Sequence, residues 1–111
     1  MSLALHRSDD FTADFDLQYR WYLREVGEAV AERYLAAVLV LLGELARQPG
    51  IGRERNFRHP ELQGLRSFVL KRPFQRHIIF YRALNDALSA ERILHGMRDL
   101  PRRLREAPGV E

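Results

Sequence analysis

The sequence has no cysteine among its 111 residues, which excludes disulfides, thiolate metal ligands and cysteine nucleophiles together. A reducing cytoplasm is compatible with that, and a cytoplasmic location is the expectation. Lysine is nearly as scarce: Lys71 is the single one, and every other cation of the 18 is arginine. Long apolar runs are missing too. The longest, residues 34–42, falls well short of the ~20 apolar residues that a membrane-crossing helix needs, so no membrane partner is expected. The mildly apolar start runs at once into His6, Arg7, Ser8, Asp9 and Asp10, which is not the pattern of a signal peptide. The four histidines, His6, His59, His77 and His95, form no i, i+4 pair and no HExxH. Neither a metal nor a cofactor is expected from such a set.

A chain of this length supports one core, because only ~60–70% of its unfolded surface can be buried. With 46% apolar and 30% charged residues, it reads as a folded globular domain spanning 1–111. The net charge of +3 is unevenly spread. Residues 1–46 carry four Arg against eight acids, residues 47–82 carry eight Arg and one Lys against two acids, and the remainder balances. A middle third so rich in arginine suits bidentate contact with phosphates or carboxylates, and implies an anionic partner or a solvated basic surface.

Local patterns give the element order. Residues 3–7 suit a short strand. Ser8 or Asp9 is placed to cap a helix with acids in its first turn, and Phe11, Phe15, Tyr19, Tyr22 and Val26 follow at helical spacing. Trp21, Tyr22 and Phe15 are expected in the core. Gly27 interrupts the pattern, and a second helix over 28–47 carries Val30, Tyr34, Val38, Leu41, Leu42 and Leu45 before Pro49 and Gly50 stop it. The short break predicts an antiparallel helical hairpin. Residues 49–64 read as a polar loop. Three strands over 65–70, 77–84 and 88–95 form an antiparallel meander on which the hairpin packs. Asp99 and Pro101 open a short C-terminal helical turn, Asp99 as its cap. The fold class is α+β.

Several segments in this order resemble the RelE/ParE toxin family. Arg33-Tyr34-Leu35 is similar to a segment of its second helix, and Leu45-Ala46 with Pro49-Gly50-Ile51-Gly52-Arg53 to that helix's end. Gly64-Leu65-Arg66-Ser67-Phe68 and Ile79-Phe80-Tyr81-Arg82 match two strands. Arg92-Ile93-Leu94-His95-Gly96-Met97-Arg98-Asp99 resembles the last strand and its exit. Together they cover roughly residues 8–105, and they look more like ParE than RelE.

The resemblance implies a toxin of a type II toxin–antitoxin system, neutralised by a cognate antitoxin whose C-terminal segment wraps it. Homodimers and toxin–antitoxin hetero-oligomers are both open. A ParE-like member would inhibit DNA gyrase and need only a binding surface. For that surface Arg53, Arg55, Arg58, Arg66, Arg98, Arg102 and Arg103 are the candidates, with Arg105 beside them. A RelE-like member would cut messenger RNA on the ribosome, which needs proton transfer groups and cations around the phosphate. Arg66, Arg82, His95 and Arg98 are the candidates for that chemistry. The missing Tyr after His95 and the loop without Lys before the second strand lean toward ParE. An inactive relic serving only as a binding module is the third reading. Tyr34, Val38 and Leu42 on the apolar second helix are the antitoxin-binding candidates, unless the monomer buries them. The remaining structural readings have His95 as a hydrogen-bonded strand end, Arg98 paired with Asp99, and Arg66 paired with an acid on the helices.

Overall fold

The computed structural model describes residues 2–109. Strand β1 (Ala4–Arg7) leads into helix α1 (Asp9–Glu25) and helix α2 (Glu28–Arg47). Strands β2 (Arg53–Glu54), β3 (Arg66–Val69), β4 (His77–Ala83) and β5 (Ala87–His95) follow, and helix α3 (Leu100–Leu104) comes last. The sheet order is β1-β5-β4-β3-β2. No helix among the described residues is long and apolar enough to cross a membrane.

The helix boundaries have local causes. Ser8 caps α1, its hydroxyl accepting from the Phe11 N–H at 3.0 Å, with Asp9 and Asp10 in the first turn where the helix dipole favours them. Gly27 has φ of 119°, a conformation that costs a side-chain-bearing residue steric strain, so the chain reverses there. The expected helical hairpin is present. Asp99 differs from expectation. It precedes α3 in the left-handed region at φ 53°, makes no side-chain cap bond, and sends its carboxylate to Arg102 at 3.5 Å rather than to Arg98.

The sheet is mixed rather than wholly antiparallel. β3, β4 and β5 form the expected meander, with a bulge opposite Phe80 and Tyr81 that leaves Glu91 out of the pairing. β1 runs parallel to β5, Ala4 opposite Ala87 through Arg7 opposite Ala90. Its link to β5 passes through both helices, so no hairpin fixes its direction. The loop after α2 also contains a strand, β2, which pairs with Ser67 and Arg66.

Both faces of the sheet are covered. On one face Phe11, Tyr34, Val38, Leu42 and Leu45 from the hairpin pack against Ile79, Tyr81, Leu88 and Ile93. On the other, Leu62, Leu65, Leu100 and Leu104 cover Ile78, Phe80 and Leu94. Double coverage explains why β4 reads as a continuous apolar run rather than an alternation. Trp21, expected in the core, is 49% exposed, because neighbouring Tyr22 takes the inward direction and one residue turns a helix by about 100°.

The end of α2 is locked by Tyr81, whose hydroxyl donates to the Pro49 carbonyl at 2.6 Å and accepts from the Gly52 N–H at 2.9 Å. A β-carbon on Gly52 would lie 2.7 Å from Tyr81 Cε1 and 2.8 Å from Cζ, whereas one on Gly50 would meet nothing. Gly52→Ala should therefore displace the ring, break both bonds and cost about 2–4 kcal/mol in urea unfolding. Gly50→Ala should leave stability within about 0.5 kcal/mol of the parent.

Candidate functional site

β1 protects only the first half of β5. Beyond Ala90 the outer edge of β5 is closed by side chains of α1 and of its N-cap Ser8 instead of a strand. Ser8 Oγ donates to the Glu91 carbonyl at 2.7 Å, Asp14 Oδ2 accepts from the Ile93 N–H at 3.1 Å, and Gln18 Nε2 donates to the Ile93 carbonyl at 2.8 Å. Arg103 Nη2 continues the series on the His95 carbonyl at 2.7 Å. This satisfies backbone groups that an open edge would leave to water or to a foreign strand.

The same stretch holds a buried ion pair. Arg92 donates from Nε to Asp14 Oδ2 at 2.7 Å and from Nη2 to Oδ1 at 3.0 Å. Its remaining Nη1 donates to the carbonyls of Glu106 at 2.7 Å and Arg103 at 3.2 Å. Asp14 is 4% and Arg92 6% exposed. Burial pushes the Asp14 carboxyl above its ordinary range, against the opposing pull of the Arg92 bonds and charge and the Ile93 N–H.

Two adjoining clefts open beside this pair. One, about 430 Å³, is lined by Leu17, Gln18, Trp21, Tyr22, His77 and His95. The other, about 390 Å³, shares Leu17, Gln18 and His95 and reaches Arg102, Arg103 and Glu106. His77 and His95 face each other across β4 and β5, ring centroids 4.9 Å apart. Tyr22 Oη and His77 Nε2 share a hydrogen bond of 2.8 Å, while His77 Nδ1 is buried with no partner among the described residues. Burial, with His95 beside it, pushes the His77 imidazole down to about 4. Burial and the charges of Arg76 and Arg103 lower His95 as well. Both shifts favour the neutral ring, so neither histidine is held protonated by its surroundings.

A third groove, about 330 Å³, runs between α2 and the β3–β4 turn. Ala37, Val40, Leu41, Phe68 and Phe74 line its floor, and Arg33, Lys71 and Arg72 its rim, with Glu44. It borders an open sheet edge, since β2 pairs only with Arg66 and Ser67 and, among the described residues, Phe68 and Val69 have no outer strand.

The ribonuclease candidates do not converge. Arg66 lies opposite Tyr81 on the helix-side face, where it donates to the Gly52 carbonyl at 2.8 Å and pairs with Glu54 of β2, not with a helix acid, at 3.1 Å. Arg82, one residue beyond Tyr81, points to the opposite face, holding Glu91 at 3.0 Å and the Glu61 carbonyl at 2.6 Å. His95 sits opposite His77 at the far end of β4, about 13–17 Å along the strand from Tyr81 and Arg82. Arg98 is exposed in the loop after it.

The other arginines divide similarly. Arg55 donates to Ser67 Oγ at 2.7 Å and lies 5.8 Å over the Phe80 ring. Arg102 is paired with Glu106 at 2.7 Å, and Arg103 is held by carbonyl oxygens. Arg53, Arg58 and Arg98 are exposed and form no ion pair among the described residues. Tyr34, Val38 and Leu42 are 0%, 2% and 1% exposed. They are core, not groove, because the sheet takes this face of α2. Among the described residues no cluster of three metal-ligating side chains occurs. Asp14, Gln18, Tyr22, His77 and Arg92 were not legible as a site. Their one sequence signal is that Asp14 and Gln18, four residues apart, interrupt an aromatic helix face.

A helical hairpin laid on a sheet whose first strand pairs with the last defines a toxin-like α+β domain of the RelE/ParE class. The family model for the ParE toxin of the type II toxin–antitoxin system parDE matches residues 5–100. The chain belongs to the ParE toxin family. A solved structure, a chromosomal ParDE toxin–antitoxin system from P. aeruginosa, is similar to it with a TM-score of 0.69 at 20% identity, over 86% of this chain and 98% of that one. No curated protein matches the chain.

The lowered His77 sets a pH dependence. The unfolded chain protonates at the ordinary imidazole value of 6.5 and the folded chain only near 4, so this contribution is intact above pH 6.5 and is lost as pH falls toward 4. The loss amounts to about 2–3 kcal/mol by pH 4. In urea unfolding between pH 7 and 4.5, His77→Gln should flatten the acid decline relative to the parent. Parallel curves for the two proteins would contradict the assignment.

Proposed function

We propose that this chain is a gyrase-directed toxin, held inactive in the cytoplasm by a cognate antitoxin, that acts by occupying its target and not by cutting RNA. The observation that carries the reading is the separation of Arg66, Arg82 and His95, which sit on two faces and at two ends of the sheet. In-line cleavage of a phosphodiester needs its proton transfer groups and cations within about one hydrogen-bond length of the reacting atoms. A binding mechanism has no such requirement. Arg53, Arg58 and Arg98, exposed and in no ion pair among the described residues, are the best-placed cations for contact with an anionic target surface, since Arg66 and Arg102 are paired with carboxylates and Arg55 is bonded to Ser67.

The groove between α2 and the β3–β4 turn fits the antitoxin. Its apolar floor suits an amphipathic segment, Arg33 and Arg72 on its rim suit acidic residues on that segment (Lys71 being paired with Glu44 at 3.2 Å), and the edge at Phe68 and Val69 can take an added strand. Val40, with the half-buried Ala37 beside it, replaces Tyr34, Val38 and Leu42 as the part of α2 that a partner can reach.

Purified protein added to a gyrase supercoiling reaction should inhibit it, and messenger RNA in a cell-free translation mixture should stay intact. Messenger cleavage abolished by His95→Ala, with supercoiling unaffected, would instead establish a ribosome-dependent ribonuclease. For the groove, Val40 is 54% exposed, so Val40→Asp should fold normally yet lower antitoxin affinity about tenfold or more by burying an unpaired carboxylate. Unchanged co-purification of Val40→Asp with the antitoxin would place the partner elsewhere.

A further inference from the structure

The His95 end of the molecule combines three features that the proposed target mechanism does not use. The first is aromatic surface facing an open cleft: Trp21, half exposed, and His95 from opposite walls, with Tyr22 and His77 between them. The second is fixed positive charge without a carboxylate to neutralise it. Arg103 is held by the carbonyls of His95, Arg98 and Gly96 at 2.7, 3.2 and 3.4 Å, and neither it nor Arg76 forms an ion pair among the described residues. The third is charge balance deeper in: the carboxylates that line the adjoining cleft, Asp14 and Glu106, are already paired with Arg92 and Arg102. The net field at the mouth is therefore positive, beside flat apolar rings.

We propose that this cleft binds a nucleotide unit, its base against Trp21 and His95 and its phosphate toward Arg103 and Arg76. Aromatic side chains beside arginines are how proteins hold unpaired bases, since every base has a face to stack and a phosphate to neutralise. The cleft volume of about 430 Å³ falls within the range of small-molecule sites. The carbonyl-held Arg103 guanidinium is fixed in place before binding, so little side-chain freedom remains to be lost. Neutral imidazoles contribute rings and hydrogen-bonding nitrogens to this site, not charge. The same chemistry is met by a free mononucleotide or by one unpaired nucleotide of a single strand.

Trp21 is the only tryptophan in the chain, so its fluorescence reports the cleft directly. Titration with adenosine 5′-monophosphate should quench it saturably, with adenosine or inorganic phosphate at least about tenfold weaker. A single-stranded pentanucleotide binding more tightly than the mononucleotide identifies a strand as the source, and equal affinity identifies the free nucleotide. Arg76 is exposed and uses only its carbonyl in the fold, so Arg76→Gln should keep the fold and weaken the monophosphate about threefold to tenfold.

His95 gives a second readout that needs no variant. The groups around it are Arg76 in the β3–β4 turn, Arg103 on α3, His77 on β4, and Gln18 and Tyr22 on α1. A bound phosphate would offset the two arginines and raise the His95 titration midpoint, followed by its ring proton in NMR. Absence of saturable quenching, equal binding of adenosine and its monophosphate, or a His95 midpoint unmoved by saturating monophosphate would each overturn the proposal.

Discussion

Asp14 and Arg92 are 78 residues apart in the chain and make two hydrogen bonds to each other, both side chains buried at the floor of a cleft. Removing both charges from water costs several kcal/mol per ion, and their attraction repays that only when the remaining donors and acceptors are also used. Here they are. The carboxylate accepts the Ile93 N–H as well, and the guanidinium turns its free nitrogen to carbonyls at the end of α3. One pair therefore connects α1, the half of β5 that β1 does not reach, and the C-terminal helix. An apolar pair of the same volume could match its stability, but not its directional grip on three elements.

The surfaces follow from that connection. Because α1 side chains close the edge of β5, the helix runs alongside the strand and brings Trp21 and Tyr22 over His77 and His95. Because Arg92 also holds the carbonyls following α3, Arg103 is kept beside the His95 carbonyl. The opposite sheet edge is treated differently. β2 is two residues long, so β3 keeps an open segment next to an apolar, cation-rimmed groove. An edge left open in this way is a liability in a lone protein and an asset in one that is stored with a partner.

Much of this fold was legible from local chemistry. Ser8, Gly27 and Pro49 mark helix ends for reasons that act within a few residues, and the β4 run of Ile78, Ile79 and Phe80 announces a strand buried on both faces. What sequence could not supply was long-range. The parallel docking of β1 depends on where the hairpin returns the chain, and β2 is too short to carry a pattern. Period separates the stripe of Tyr34, Val38 and Leu42 from Val40 on the other side of α2, but not whether the sheet or a partner covers that stripe, and the fold gives it to the sheet. The cationic middle third looked like one patch. The two-residue period of the strands sends Arg66 and Arg82 to opposite faces, and the fold consumes several of the charges internally.

The Asp14–Arg92 contact, not the apolar core alone, fixes α1, β5 and α3 relative to one another. A double-mutant cycle with Asp14→Asn, Arg92→Gln and the pair together, read by urea unfolding, tests it. Each single variant should lose about 3–5 kcal/mol by leaving a buried charge uncompensated, and the double variant should lose clearly less than their sum. Additive losses, or single variants within about 1 kcal/mol of the parent, would mean that the apolar core alone sets these positions.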